Sequence, residues 1–185
     1  MEYQTLGDKD LAAACSRGDR SAERELYTRY AARLYLVCQR YVSDREDARD
    51  LMHDALIKAL DSIGKYSFTG EGSLYSWLRR VTVNMAIDRL RRQKLKFVPL
   101  PDYAVLDVPD DDVKMLEIPK EVLLKMVQDL PEERRAVFNM YCIDGFSHKQ
   151  IAEVLGINEK SSASVLARAR IQLRQAVNDY MNKDE

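Results

Sequence analysis

Cysteine and histidine are scarce, with three Cys and two His in 185 residues. Cys15, Cys38 and Cys142 are widely spaced and odd in number, and no CxxC pair occurs. That speaks against a disulfide framework and a zinc site, and leaves reduced core thiols as the expectation. No cofactor is expected. Proline is missing before position 99, where the first of five appears. Long apolar runs are missing as well: no stretch approaches the roughly 18 residues of a membrane span. The opening MEYQTLGDKD is polar and acidic, whereas a secretory leader is basic and then apolar. A cytosolic protein is expected. Strand signals are weak throughout, and no internal repeat is visible.

Charge and helical pattern are what the chain does have. Its 46% apolar and 32% charged residues fit a soluble chain of one ordinary domain or two small ones. The net charge of -1 conceals local imbalance. Leu74 to Val98 holds seven Lys or Arg against one Asp, and Pro99 to Ile118 holds six Asp or Glu against one Lys. A cationic surface and an anionic segment on one chain need different partners.

The periodicity predicts an all-α fold of two small helical domains joined by an acidic linker. Helices are expected at 10–17, ending before Gly18, at 21–42 and at 43–62, where Ser43 and Glu46 form a capping box. Turn chemistry fills 67–72, and Ser73 opens a helix whose core stripe is Leu74, Trp77, Leu78, Val81, Met85 and Ile87. The prolines at 99, 101, 109 and 119 bracket a linker at 99–118. Beyond it, helices near 119–129 and 132–143 precede "SHKQIAEVLG", which Ser147 and Gln150 box, and a last helix that Asn158 caps, reaching about Met181. A short helix, a Gly-containing turn and a longer basic helix make the second part, 119–185, a four-helix domain with a helix-turn-helix.

Three surfaces carry chemistry. On the helix at 73, Arg79, Arg80, Arg89, Arg91, Arg92, Lys94 and Lys96 face one acidic neighbour, Asp88. A solvated helix face is the plainer reading, and polyanion binding is the sharper one. Tyr66, Phe68 and Tyr75 beside it are rings on which unstacked bases can sit, or core. On the third helix, Asp44, Asp47, Asp50 and Asp54 share one face. They read as solvated acid, as a docking face for a basic protein anchored by Leu51, or, with His53, as part of a metal-dependent hydrolase site that lacks further ligands. In the last helix, Lys160, Ser161, Ser162 and Ser164, followed by Arg168, Arg170 and Arg174, suit bases and phosphates or belong to a generic hairpin.

"ARDLMHDALIKAL", "GEGSLYSWLRRVTVNMAIDRLRR" and "LPEERRAVFNMYCIDGFSHKQIAEVLGINEKSSASVLARARIQL", in that order around an acidic linker, resemble the extracytoplasmic-function (group IV) sigma factors of the sigma-70 family over residues 20–180. Their wording is also similar to that of Bacteroidetes sigma factors. The resemblance implies a non-enzymatic factor that binds core RNA polymerase, directs it to promoter DNA and promotes melting, with no small-molecule substrate. It implies region 2 at 1–98, the linker at 99–118 near the RNA exit path or as a plain tether, and region 4 at 119–185. Polymerase docking falls to Asp44, Asp47, Asp50, Leu51 and Asp54. Minus-ten DNA falls to Phe68, Gly70, Ser73, Trp77, Arg79, Arg80, Asn84, Arg91 and Arg92. Asn84 and Asp88 serve equally well as local hydrogen-bonding partners. Minus-thirty-five DNA falls to Ser147, Lys149, Lys160, Ser161, Ser162, Ser164, Arg168 and Arg170.

The chain departs from the usual pattern at Ala163, where a phosphate contact is lost, at Lys160, which supplies one a turn earlier, and at Arg49 in the docking face. An anti-sigma partner, often membrane-spanning, is implied by the resemblance alone. The rival readings are a stand-alone helix-turn-helix regulator and the metal-dependent hydrolase.

Overall fold

The structure, a computed structural model, describes residues 6–92 and 118–182. The predicted linker, apart from Ile118, and the cations Lys94 and Lys96 lie outside the described residues. Among the described residues there is no strand, and the architecture is all-α. Two compact units divide the chain between Asp88 and Arg89.

The first unit holds α1 (Asp8–Ser16), α2 (Arg20–Tyr41), α3 (Arg45–Ser62), a 3-10 turn at Ile63–Lys65 and α4 (Ser73–Arg92) as far as Asp88, the last turn of α4 falling beyond the division. Asp19 opens α2, its carboxylate accepting the Ser21 and Ala22 N–H groups at 2.9 and 3.2 Å. The predicted periodicity of α2 is the observed one: Leu26, Tyr30, Leu34, Val37, Cys38 and Tyr41 are all buried, and α2 packs along α3 and α1. The Tyr30 hydroxyl donates to buried Asp8, which ties α1 to α2. Burial, reinforced by Asp8, pushes the Tyr30 phenol up to about 12. Arg29 secures the same junction, donating to the Leu6 carbonyl at 2.9 Å and to Glu25.

Two local expectations change. The cap of α3 is Asp44, not Ser43: its carboxylate accepts the N–H groups of Glu46 and Asp47, both at 2.9 Å. A carboxylate at this position satisfies two orphan donors and meets the positive end of the helix dipole. On α4 the fully buried row is Leu74, Leu78, Thr82 and Ala86, whereas Trp77, Val81 and Met85 are half-buried along its border. Both rows repeat every four residues. Thr82 enters the core because its hydroxyl donates to the Leu78 carbonyl at 2.9 Å, so burying it leaves no unpaired donor. Shortening a side chain in that row, as in Leu78→Ala, costs about 2–5 kcal/mol.

The second unit holds α5 (Lys120–Gln128), α6 (Glu132–Phe138), a π-helical turn at Asn139–Ile143, α7 (His148–Leu155) and α8 (Glu159–Met181). Val137, Met140, Ile151, Leu166 and Ala169 form its core, where α6 and α7 pack on α8. The predicted helix at 132–143 is continuous in length but changes pitch. Asp144 N–H donates to the Asn139 carbonyl, one residue further back than in an α-helix. The wider turn leaves Cys142 exposed, so it is not the core thiol expected of it. Cys15 and Cys38 are buried, and burial pushes their thiols up to about 11 and about 12.

Candidate nucleic-acid interface

The loop before α4 and the first turns of α4 enclose an open cavity of about 660 Å³, walled by Tyr66, Thr69, Glu71, Ser73, Trp77 and Arg80. Gly70 and Gly72, at φ 134° and 76°, occupy backbone that side chains resist. They bring Ser73 N–H onto the Gly70 carbonyl at 3.1 Å. The Ser73 hydroxyl lies 2.6 Å from the Tyr66 hydroxyl and accepts the Thr69 N–H at 3.4 Å. The Tyr66 ring tilts against Trp77, centroids 5.7 Å apart. The result is a polar-rimmed slot with aromatic walls, one carboxylate and one guanidinium, which suits a flat ring with hydrogen-bonding edges.

Of the predicted minus-ten residues, Ser73, Trp77 and Arg80 line this cavity together. Asn84 and Arg91 continue the same face of α4 and are exposed. From Trp77 to Arg91 that face runs about 21 Å at 1.5 Å per residue. Arg92 is exposed and Arg79 half-buried. Phe68, 41% exposed, lines a separate groove of about 280 Å³ with Lys9 and Ala13. Tyr75 is not an open platform: it stacks on Tyr30 at 6.2 Å, and the Arg33 guanidinium lies 3.6 Å from its centroid.

On α3, Asp50 and Asp54 are exposed and Asp47 half-buried, while Asp44 is engaged as the cap. Leu51 is a correction: it is 4% exposed and belongs to the core, so it offers no anchor. Ile57, 59% exposed, lies on the acidic face and was missed. Its signal was the stripe 50–54–57–61, opposite the buried Ala48–Leu51–Ala55–Ala59 row. Among the described residues no group of three His, Cys, Asp or Glu is placed to hold a metal ion.

The helix-turn-helix has the predicted caps. Ser147 and Gln150 form a capping box, Gly156 takes the left-handed conformation at φ 69°, and Asn158 accepts the Ser161 N–H at 2.7 Å. Lys149 and Lys160 are exposed, and Ser161, Ser164, Arg168 and Arg170 are half-buried. Ser161, Ser164 and Arg168 share one stripe of α8. Ser147 is spent on its cap. Ser162 is the second correction: it is 0% exposed, its hydroxyl 2.9 Å from His148 Nδ1, and so reads no base. The His148 ring stacks on Tyr141 with centroids 4.4 Å apart. Burial, then Arg170, holds its imidazole below the ordinary 6.5, against the pull of Glu159.

Residues 26–96 match the family model described as Sigma-70 region 2, and residues 120–173 match Sigma-70, region 4. Over 177 residues the chain is 33% identical to the ECF RNA polymerase sigma factor SigM of Mycobacterium tuberculosis, covering 95% of this chain and 86% of that protein. It is 28% identical to the ECF RNA polymerase sigma-E factor of Haemophilus influenzae over 191 residues, covering 96% of this chain and 99% of that protein. It is 27% identical to the RNA polymerase sigma-H factor of Pseudomonas aeruginosa, over 95% of this chain and 96% of that protein.

Proposed function

Because the chain belongs to the extracytoplasmic-function group of the sigma-70 family, we propose that it binds core RNA polymerase, directs it to promoter DNA and nucleates strand separation. The polymerase carries the chemistry, and this chain supplies recognition. The observation that carries the reading of its first half is the aromatic-walled cavity opening onto the cationic face of α4. A base leaving the duplex loses stacking and pairing worth a few kcal/mol. One base stacked on an aromatic wall returns about 1–3 kcal/mol. Capture therefore needs the phosphate contacts that Arg80, Arg91 and Arg92 supply along the same helix, and it is favoured where pairing is weakest.

In this reading the acidic face of α3, with Asp47, Asp50, Asp54 and the exposed Ile57, docks on a basic polymerase surface, and Asp44 serves that face by starting the helix. Ser161, Ser164, Lys160 and Arg168 of α8 enter the major groove at the minus-thirty-five element, with Lys149 on the backbone. Residues 1–98 act as region 2, 99–118 as an acidic linker that imitates nucleic acid near the RNA exit path, and 119–185 as region 4. The wording of the matching segments supports a Bacteroidetes-type factor. The family resemblance supports a cytoplasmic protein held by an anti-sigma partner.

The experiment is run-off transcription with core polymerase on a promoter library, comparing the chain with a variant reversed in charge at Asp47 and Asp50. Promoter-selective transcripts that the variant loses, together with co-purification of the parent chain but not of the variant with core, establish the reading. DNA binding without co-purification would return the chain to the class of stand-alone helix-turn-helix regulators.

A further inference from the structure

The family reading uses the exposed side of α8 and leaves its buried side unexplained. Ser162 sits on the row Ser162–Leu166–Ala169 that packs into the second unit, and it is fully buried. A hydroxyl there costs free energy unless a partner meets it. The partner comes from the other helix: His148, the first residue of α7, places Nδ1 2.9 Å from the Ser162 oxygen. The ring is held on its flat side by Tyr141 of the π-helical turn, 22° from parallel at 4.4 Å. One imidazole thus joins the turn, the start of α7 and the first turns of α8. Ser162 directly follows Ser161 and lies two residues before Ser164, so a shift of the contact moves both proposed readers.

We propose that His148 is a positioning residue for DNA readout, fixing the rotation and depth of α8 against α7 through its hydrogen bond to Ser162. Its role rests on the reading that α8 enters the major groove. Side chains that read base edges need hydrogen-bond geometry, and a helix free to roll about its axis loses discrimination before it loses backbone contacts. At the start of α8 the residues Ser161, Ser162, Ala163 and Ser164 are all small, so the hydrogen bond adds a directional restraint there to the packing of Val165, Leu166 and Ala169.

The test uses holoenzyme assembled from the full chain and core polymerase. It measures the ratio of affinities for a promoter with an intact minus-thirty-five element and for one with that element scrambled. His148→Phe keeps the stack and loses the hydrogen bond, Ser162→Ala removes the hydroxyl, and His148→Asn places an amide where Nδ1 stands. The expected result is a ratio lowered about tenfold in His148→Phe and in Ser162→Ala, no further loss in the double variant, and recovery in His148→Asn. Affinity for the scrambled promoter stays near that of the parent, which a general loss of folding would not allow.

Full discrimination in both single variants, at whatever melting temperature, overturns the proposal and leaves the contact a structural one. Additive losses in the double variant overturn it too, since independent effects are not one contact. A parent holoenzyme indifferent to the scrambled element would instead overturn the groove reading of α8, which separates the two failures.

Discussion

Asp44 separates two roles that the sequence merges. Its carboxylate accepts the Glu46 and Asp47 N–H groups at 2.9 Å each, so Asp44→Ala leaves two N-terminal donors of α3 to water. Loss of such a cap costs about 1 kcal/mol within a range of roughly 0.5–2. The first unit spans 88 residues, a size at which 1 kcal/mol lowers the melting temperature by about 4–8 °C. Calorimetry of the full chain should therefore show the Asp44→Ala transition about 5 °C low. Asn caps as well as Asp, so Asp44→Asn loses only the charge–dipole part, about 0.3–1 kcal/mol, and should fall by less. Its affinity for core polymerase should stay unchanged. If Asp44→Asn melts as low as Asp44→Ala, hydrogen-bonded capping is the wrong account. If it melts normally yet binds polymerase poorly, Asp44 belongs to the docking face.

Three further outcomes are expected. The folded His148 value lies below the ordinary 6.5, so the unfolded chain binds more protons between the two values. The stability of the second unit should therefore fall as pH drops from about 6.5 toward the depressed folded value, and His148→Asn should flatten that slope in urea titrations. Tyr66→Phe removes the partner 2.6 Å from the Ser73 hydroxyl and should cost about 0.5–1.5 kcal/mol. Permanganate footprints should show weakened melting, and melting as strong as the parent's would detach this contact from base capture. Iodoacetamide on the native chain should label exposed Cys142 and spare Cys15 and Cys38, whose burial holds them protonated; equal labelling of all three, read by peptide mass, would contradict the packing.

Helix content, the Ser147–Gln150 box, the turn at Gly156 and the buried stripe of α2 were all legible in the residues, because each depends on spacing or on contacts within a few positions of the chain. The charge imbalance between the α4 segment and the following one was equally plain, though from the residues alone it left a solvated face and a polyanion-binding face both open. Spacing could not decide between adjacent rows of one helix. Val81 and Met85 fit a core stripe as well as Thr82 and Ala86 do, and the choice followed from the direction in which α4 meets its neighbours. Spacing likewise made Leu51 an anchor and Ser162 a reader. Packing buried the first, and a histidine fourteen residues earlier claimed the second. Local hydrogen bonds and periodicity are properties of a segment, whereas which face is covered, and by what, is fixed only when segments distant in sequence compete for the same space.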